Sequence, residues 1–171
     1  MRLNGIKILT AVVLVLGLSL LAIAASDTDT QTVTITLEEI ATISASGDPA
    51  TMTFTAPATP GDLPADVSDN STTMAWTSNV ASGNTRKITG QIDGLFTNIN
   101  LFATITATGS NGTSAGETQF AAATTDYDFV TGITDENTSG ETITFKASMT
   151  AMTEPFTDQT QIVTWTLTED S

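Results

Sequence analysis

Carboxylates are the only side chains in this sequence present in numbers that could do chemistry. There are 19 Asp and Glu against five Lys and Arg, and neither His nor Cys. Zinc sites of the usual kind, Cys–His nucleophiles and Ser-His-Asp triads are thereby excluded. Asp66, Asp69 and Asn70 share one loop-like stretch, Asp126 and Asp128 flank Tyr127, and Asp135-Glu136-Asn137 share another. Calcium takes several oxygen ligands from carboxylates, carbonyls and water. Asp66, Asp69, Asp126, Asp128 and Asp135 are therefore the calcium candidates, and no other cofactor is called for. None of these stretches has EF-hand spacing, and Asp and Asn favour turns for backbone reasons alone.

Two carboxylates can also hydrolyse a glycosidic bond, one as acid and the other as base or nucleophile. Glu38-Glu39, Glu117 and Glu141 would be the candidates. Neighbours on a strand point to opposite faces, so Glu38-Glu39 makes a poor pair. No catalytic residue is assigned, and the chain is not expected to be an enzyme. Trp76, Tyr127 and Trp165 could form a sugar-stacking platform, but both Trp sit in phase with apolar neighbours and read as core. Tyr127, between two acids, is the aromatic expected to be exposed. Arg86-Lys87 reads as a strand start that offsets nearby acids. Asn70, Asn111 and Asn137 head N-glycosylation patterns in expected loops.

The elements that would hold these groups are strands. Thr alternates with apolar residues from Thr32, Val33, Thr34, Ile35, Thr36 and Leu37 near the front to Val163-Thr-Trp-Thr-Leu-Thr168 at the back. A period of two puts apolar side chains on one face and hydroxyls on the other, and β-branched Thr favours the extended backbone. Extended runs are expected at 32–46, 51–55, 72–78, 86–92, 100–107, 117–122, 142–150 and 161–169, with a bulge or bend at Glu38-Glu39. The Pro-rich stretch 56–70 reads as the longest loop. Gly109–Gly112 and Asp135–Gly140 read as tight connections between antiparallel neighbours. The expected core includes Val33, Ile35, Met74, Trp76, Ile88, Ile92, Ile105, Phe120, Ile143, Phe145 and Trp165. The fold class is all-β, a single antiparallel β-sandwich or jelly-roll-like domain of about seven to nine strands.

In front of this domain, residues 1–24 read as a secretory signal peptide. Arg2 and Lys7 supply the positive region, 8–23 is apolar, and Ala22-Ile23-Ala24 gives a small-x-small cleavage pattern. A retained membrane helix is the rival, since the apolar run is about long enough to span. A prepilin-type cut after Gly5 fits less well, because Asn4 precedes it and Lys7 would enter the helix. Residues 25–31 form a flexible polar lead, and 32–171 the domain. Removal of the signal leaves Arg86, Lys87 and Lys146 against the 19 acids, a formal charge of about −16. Such a surface repels nucleic acid and anionic lipid, so neither is an expected partner, and a membrane is met only through an uncleaved signal segment. Without Cys, stability must come from sheet pairing and burial.

The signal segment, the opening strand at 32–37, Ser82-Gly-Asn-Thr-Arg-Lys-Ile-Thr89 and the closing Val163-Thr-Trp-Thr-Leu-Thr168 resemble small secreted, Thr-rich surface proteins of prokaryotes. In general plan the chain is also similar to donor-strand β-sandwich subunits of bacterial and archaeal extracellular filaments, such as biofilm-matrix fibre proteins. The resemblance implies a structural role at the cell surface and transfers no catalytic residue. The expectation is an extracellular subunit of a fibre, pilus-like filament or surface layer, with further copies of itself as partner through strand 32–37. The alternative is a secreted module binding carbohydrate or another surface protein, stabilised by calcium in its acidic loops. Whether strand 32–37 pairs within its own domain or with a neighbour is open at this level.

Overall fold

The computed structural model describes residues 28–109 and 111–170. The segment read as a signal, and residues 25–27 of the polar lead, lie outside the described residues. Within them there is no helix, and so none long and apolar enough to cross a membrane. The chain divides into two units, Met1–Thr36 and Leu37–Ser171, and the strands all lie in the second.

Among the described residues nine strands build an all-β sandwich: β1 (Ala41–Ala45), β2 (Val67–Ser78), β3 (Arg86–Ile92), β4 (Ile99–Ile105), β5 (Thr113–Ser114), β6 (Thr118–Gln119), β7 (Tyr127–Ile133), β8 (Glu136–Met149) and β9 (Val163–Glu169). One sheet has the order β1-β2-β8-β4-β6 and the other β5-β7-β3-β9. Every ladder is antiparallel. The alternation fills the space between the sheets. Met74 and Trp76 of β2, Leu101, Ala103 and Ile105 of β4, and Ile143, Phe145 and Ala147 of β8 are all buried. Thr73, Thr77, Thr142 and Thr144 intervene on the opposite phase.

Facing them, Ile88 and Ile92 of β3 and Phe129, Val130 and Ile133 of β7 close the core. Trp165 of β9 stands edge-on to Phe129, with ring centroids 4.9 Å apart, and Phe120 stacks at a tilt on Phe129 at 5.4 Å. The rings come this close because Gly90 lies beneath them. A Cβ there would sit 2.5 Å from the Trp165 ring and 2.7 Å from Phe129, a clash only a Gly avoids.

Several expectations need correction. Val33 and Ile35, expected in the core, are exposed, and 32–37 carries no strand. The edge strand begins only at Ala41. Residues 51–55 form no strand either, although Met52 packs against the core. β2 starts at Val67, inside the expected loop, and β7 was not expected at all. In β7 the consecutive residues Phe129 and Val130 are both buried, and the ladder to β3 shifts register around Ile88. A bulged strand hides its period of two. Asp135–Gly140 is mostly strand β8, and Gly140 adopts φ 80° where the β2–β8 register shifts between Met74 and Trp76. That glycine marks a bulge, not a turn. Gly109–Gly112 connects β4 of one sheet to β5 of the other, so it does not join hydrogen-bonded neighbours.

Candidate functional site

The expected calcium residues are dispersed. Asp69 lies in β2 beside a register shift at Asn70-Ser71, and its carboxylate is engaged locally. It accepts from the Ser71 hydroxyl at 2.7 Å and the Ser71 N–H at 3.2 Å. The Ser71 hydroxyl, with backbone donors from Ser71 and Ala50, holds Asp69 below the usual carboxylate pKa. Asp66 is exposed just ahead of β2. Asp126 and Asp128 lie at β7 on the other sheet, where Lys87 pairs with Asp128 at 3.2 Å. Asp135 accepts the Val80 N–H at 2.8 Å, closing the turn after β2. Among the described residues no three acidic groups gather closely enough to hold a metal ion.

Of the carboxylates weighed for catalysis, Glu39, Glu117 and Glu141 are structural partners. Glu141 is buried. Its side chain accepts from the Thr106 hydroxyl at 2.7 Å, the Gly109 N–H at 2.8 Å, the Thr108 N–H at 3.2 Å and the Thr138 hydroxyl at 3.4 Å. Burial alone raises its pKa, but these donors outweigh burial and hold it below its ordinary value. Glu117 pairs with Lys146, whose ammonium sits 4.6 Å above the Phe102 ring. Glu136 accepts the Trp76 indole N–H at 2.6 Å and the Asn111 N–H at 2.7 Å. Such clamps are invisible to residue counting, because most of their donors lie far away along the chain.

Tyr127 is not the free aromatic expected. It begins β7 half-buried, edge-on to Phe120 at 6.0 Å, with its hydroxyl accepting the Ala122 N–H at 2.9 Å. It borders a shallow open trough of about 500 Å³ on the outer face of the second sheet, with Lys87, Thr89, Asp128, Thr166 and Thr168. Among the sequons, Asn70 and Asn137 lie in strands β2 and β8, contrary to expectation, and are exposed, while Asn111 is in a connecting loop. The Asn111 amide donates to the Thr134 hydroxyl.

The feature that stands apart is the entry of the chain into the sandwich. Val33, Ile35 and Leu37 are 78%, 87% and 75% exposed. Immediately after them, Glu38–Ile40 is fastened by polar bonds. Asn79 donates its side-chain amide to Glu38 O at 3.0 Å, accepts the Ile40 N–H at its Oδ1, and donates its own N–H to Ile40 O at 3.0 Å. Glu39 accepts the Ala81 N–H at 3.0 Å and pairs with Arg86 at 3.2 Å. Arg86 belongs to the second sheet and is buried, so the expected break at Glu38-Glu39 is an anchor spanning both layers. Arg86-Lys87 does offset acids, as expected: Lys87 reaches both Asp128 and Asp170.

Beyond the anchor, β1 pairs with β2 but buries little, since only Ile43 packs inward. β9 borders the other sheet and pairs with β3 alone. Its inward residues Val163, Trp165 and Leu167 are only partly buried. Compared with family models, with curated proteins and with solved structures, the chain matches none.

Proposed function

We propose that the protein is an exported structural subunit that assembles with copies of itself at the cell surface, using residues 32–37 as an inter-subunit strand. The observation that carries the reading is the exposure of Val33, Ile35 and Leu37, three large apolar side chains at period two with no strand around them. Alternating apolar and β-branched residues favour an extended backbone, and leaving such a face in water is costly unless a partner covers it. The Glu38–Ile40 anchor supports this use, because it fastens to the sandwich the residues that directly follow the arm. The signal reading of residues 1–24 supplies export.

The test is assembly of the chain beginning at Ala25. Sedimentation and negative-stain microscopy at raised salt, which screens the net acidic charge, should show oligomers or filaments. Deleting 25–37 should leave a folded monomer. A full-length mature chain that stays monomeric at high concentration overturns the reading.

A second reading is a carbohydrate-binding module, favoured by the hydroxyl-lined trough beside Tyr127. Titration with oligosaccharides would show saturable heat lost in Asp128→Ala if that reading holds.

A further inference from the structure

Strand edges differ in how ready they are to accept another strand. In the first sheet β6 is a two-residue stub, and so is β5 in the second. The chain around them is tied down by Phe120, buried in the core. β1 is five residues long and mostly exposed. β9 is unlike these. Its ladder with β3 runs from Arg86↔Glu169 to Ile92↔Val163 with no register shift. Val163–Thr168 has no Pro, Gly, Lys or bulge, the devices by which natural edges discourage pairing.

We infer that β9 is the acceptor edge for residues 32–37 of a second copy, which add to it as a further antiparallel strand. This rests on the assembly reading above and names the surface that reading leaves open. Ile35 then lies opposite Trp165, Val33 opposite Leu167 and Leu37 opposite Val163. The donor's apolar row continues the partly buried row of β9, and Thr34 and Thr36 fall beside Thr166 and Thr164 on the outer face. Backbone bonds supply affinity and the matched rows supply register.

Charge permits this pairing, as it also would at β1, where 40–47 is uncharged. No charged residue stands between Asp29 and Glu38, and none between Asp158 and Glu169. In so acidic a chain these are stretches where two copies approach with little repulsion. β1 runs near β9 at this corner without a ladder to it.

The chain has no Cys, so single cysteines report cleanly. Thr34→Cys in one preparation is mixed with Thr166→Cys in another under mild oxidation, with Thr34→Cys plus Thr42→Cys on β1 as the competing edge. Cross-strand neighbours meet disulfide geometry, so the β9 pairing should give on the order of tenfold more linked dimer than the β1 pairing. Amide exchange on the unsubstituted chain is the independent readout, and β9 amides should slow on assembly. Assembly with no Thr34–Thr166 link and unchanged β9 exchange overturns the β9 assignment while leaving self-assembly intact. Absence of any assembly overturns the underlying reading.

Discussion

Residues 32–37 and 163–168 carry almost the same pattern, Thr-Val-Thr-Ile-Thr-Leu and Val-Thr-Trp-Thr-Leu-Thr, and meet opposite fates. The second is strand β9, laddered to β3, with Trp165 packed on Phe129. The first forms no strand and exposes its apolar side chains. Alternation therefore specifies which side chains would share a face, and the availability of a free edge decides whether the face is used. The first edge strand, β1, begins only at Ala41.

The contrast can be sharpened by substitution, beginning with the largest effect. Trp165→Ala should cost about 3 kcal/mol in chemical denaturation, the lower end for deleting a large packed aromatic, because it empties one side of the ring cluster. Ile35→Ala, at the equivalent place in the other pattern, should leave the unfolding midpoint of the monomer unchanged. A loss of monomer stability in Ile35→Ala would mean that the arm packs on its own domain.

Next in size is Glu141→Ala, expected to cost about 2 kcal/mol, since it removes the charged acceptor of the half-buried Thr106 hydroxyl and of the Gly109 N–H. Its pH dependence has a defined sign. The folded carboxyl has a lowered pKa, so its stabilisation is fully present above the unfolded value near 4.5 and is lost as pH falls through the folded value. The stability gap between wild type and Glu141→Gln should accordingly narrow on acidification. A gap that widens would show that the donors do not favour the charged form.

Gly90→Ala should cost about 1–3 kcal/mol, the range for overpacking a well-filled core. Double substitution with Trp165→Ala should recover part of that loss, because the ring being struck is gone. The smallest effect belongs to the anchor. Glu39→Ala should lower stability by about 1 kcal/mol or less, as its carboxylate is half exposed. It should nevertheless speed amide exchange at Ile40 and Ala81, which a purely cosmetic surface pair would not do.

Much of the sandwich was legible in advance. β3 was predicted with its observed bounds, β4 and β9 lay close to their runs, and the run at 142–150 caught the later part of β8, because in each of these stretches the apolar phase is uninterrupted. β7 escaped because Phe129 and Val130 are both buried across a bulge. The first residues of β8 were misread because Gly140 signals a bulge and a turn alike. The candidate site was less legible. The runs of Asp suggested metal, yet they are dispersed: Asp69 binds Ser71, Asp135 accepts the Val80 N–H, and Asp128 pairs with Lys87 on the other sheet. The groups that matter structurally, Glu141, Asn79 and the Glu39–Arg86 pair, bond over separations of 30 to 50 residues, which no local pattern encodes.

By itself the sequence determined that this is an all-β chain with alternating faces, an acidic surface, no disulfide and no thiol or imidazole chemistry. Those properties follow from residue type and period, which act locally. Only the tertiary structure decided which of two like segments becomes a strand, which carboxylate is buried and satisfied, and which edge strand keeps a regular ladder. Each of those depends on what the rest of the chain places alongside, and strand pairing is a contact between distant residues.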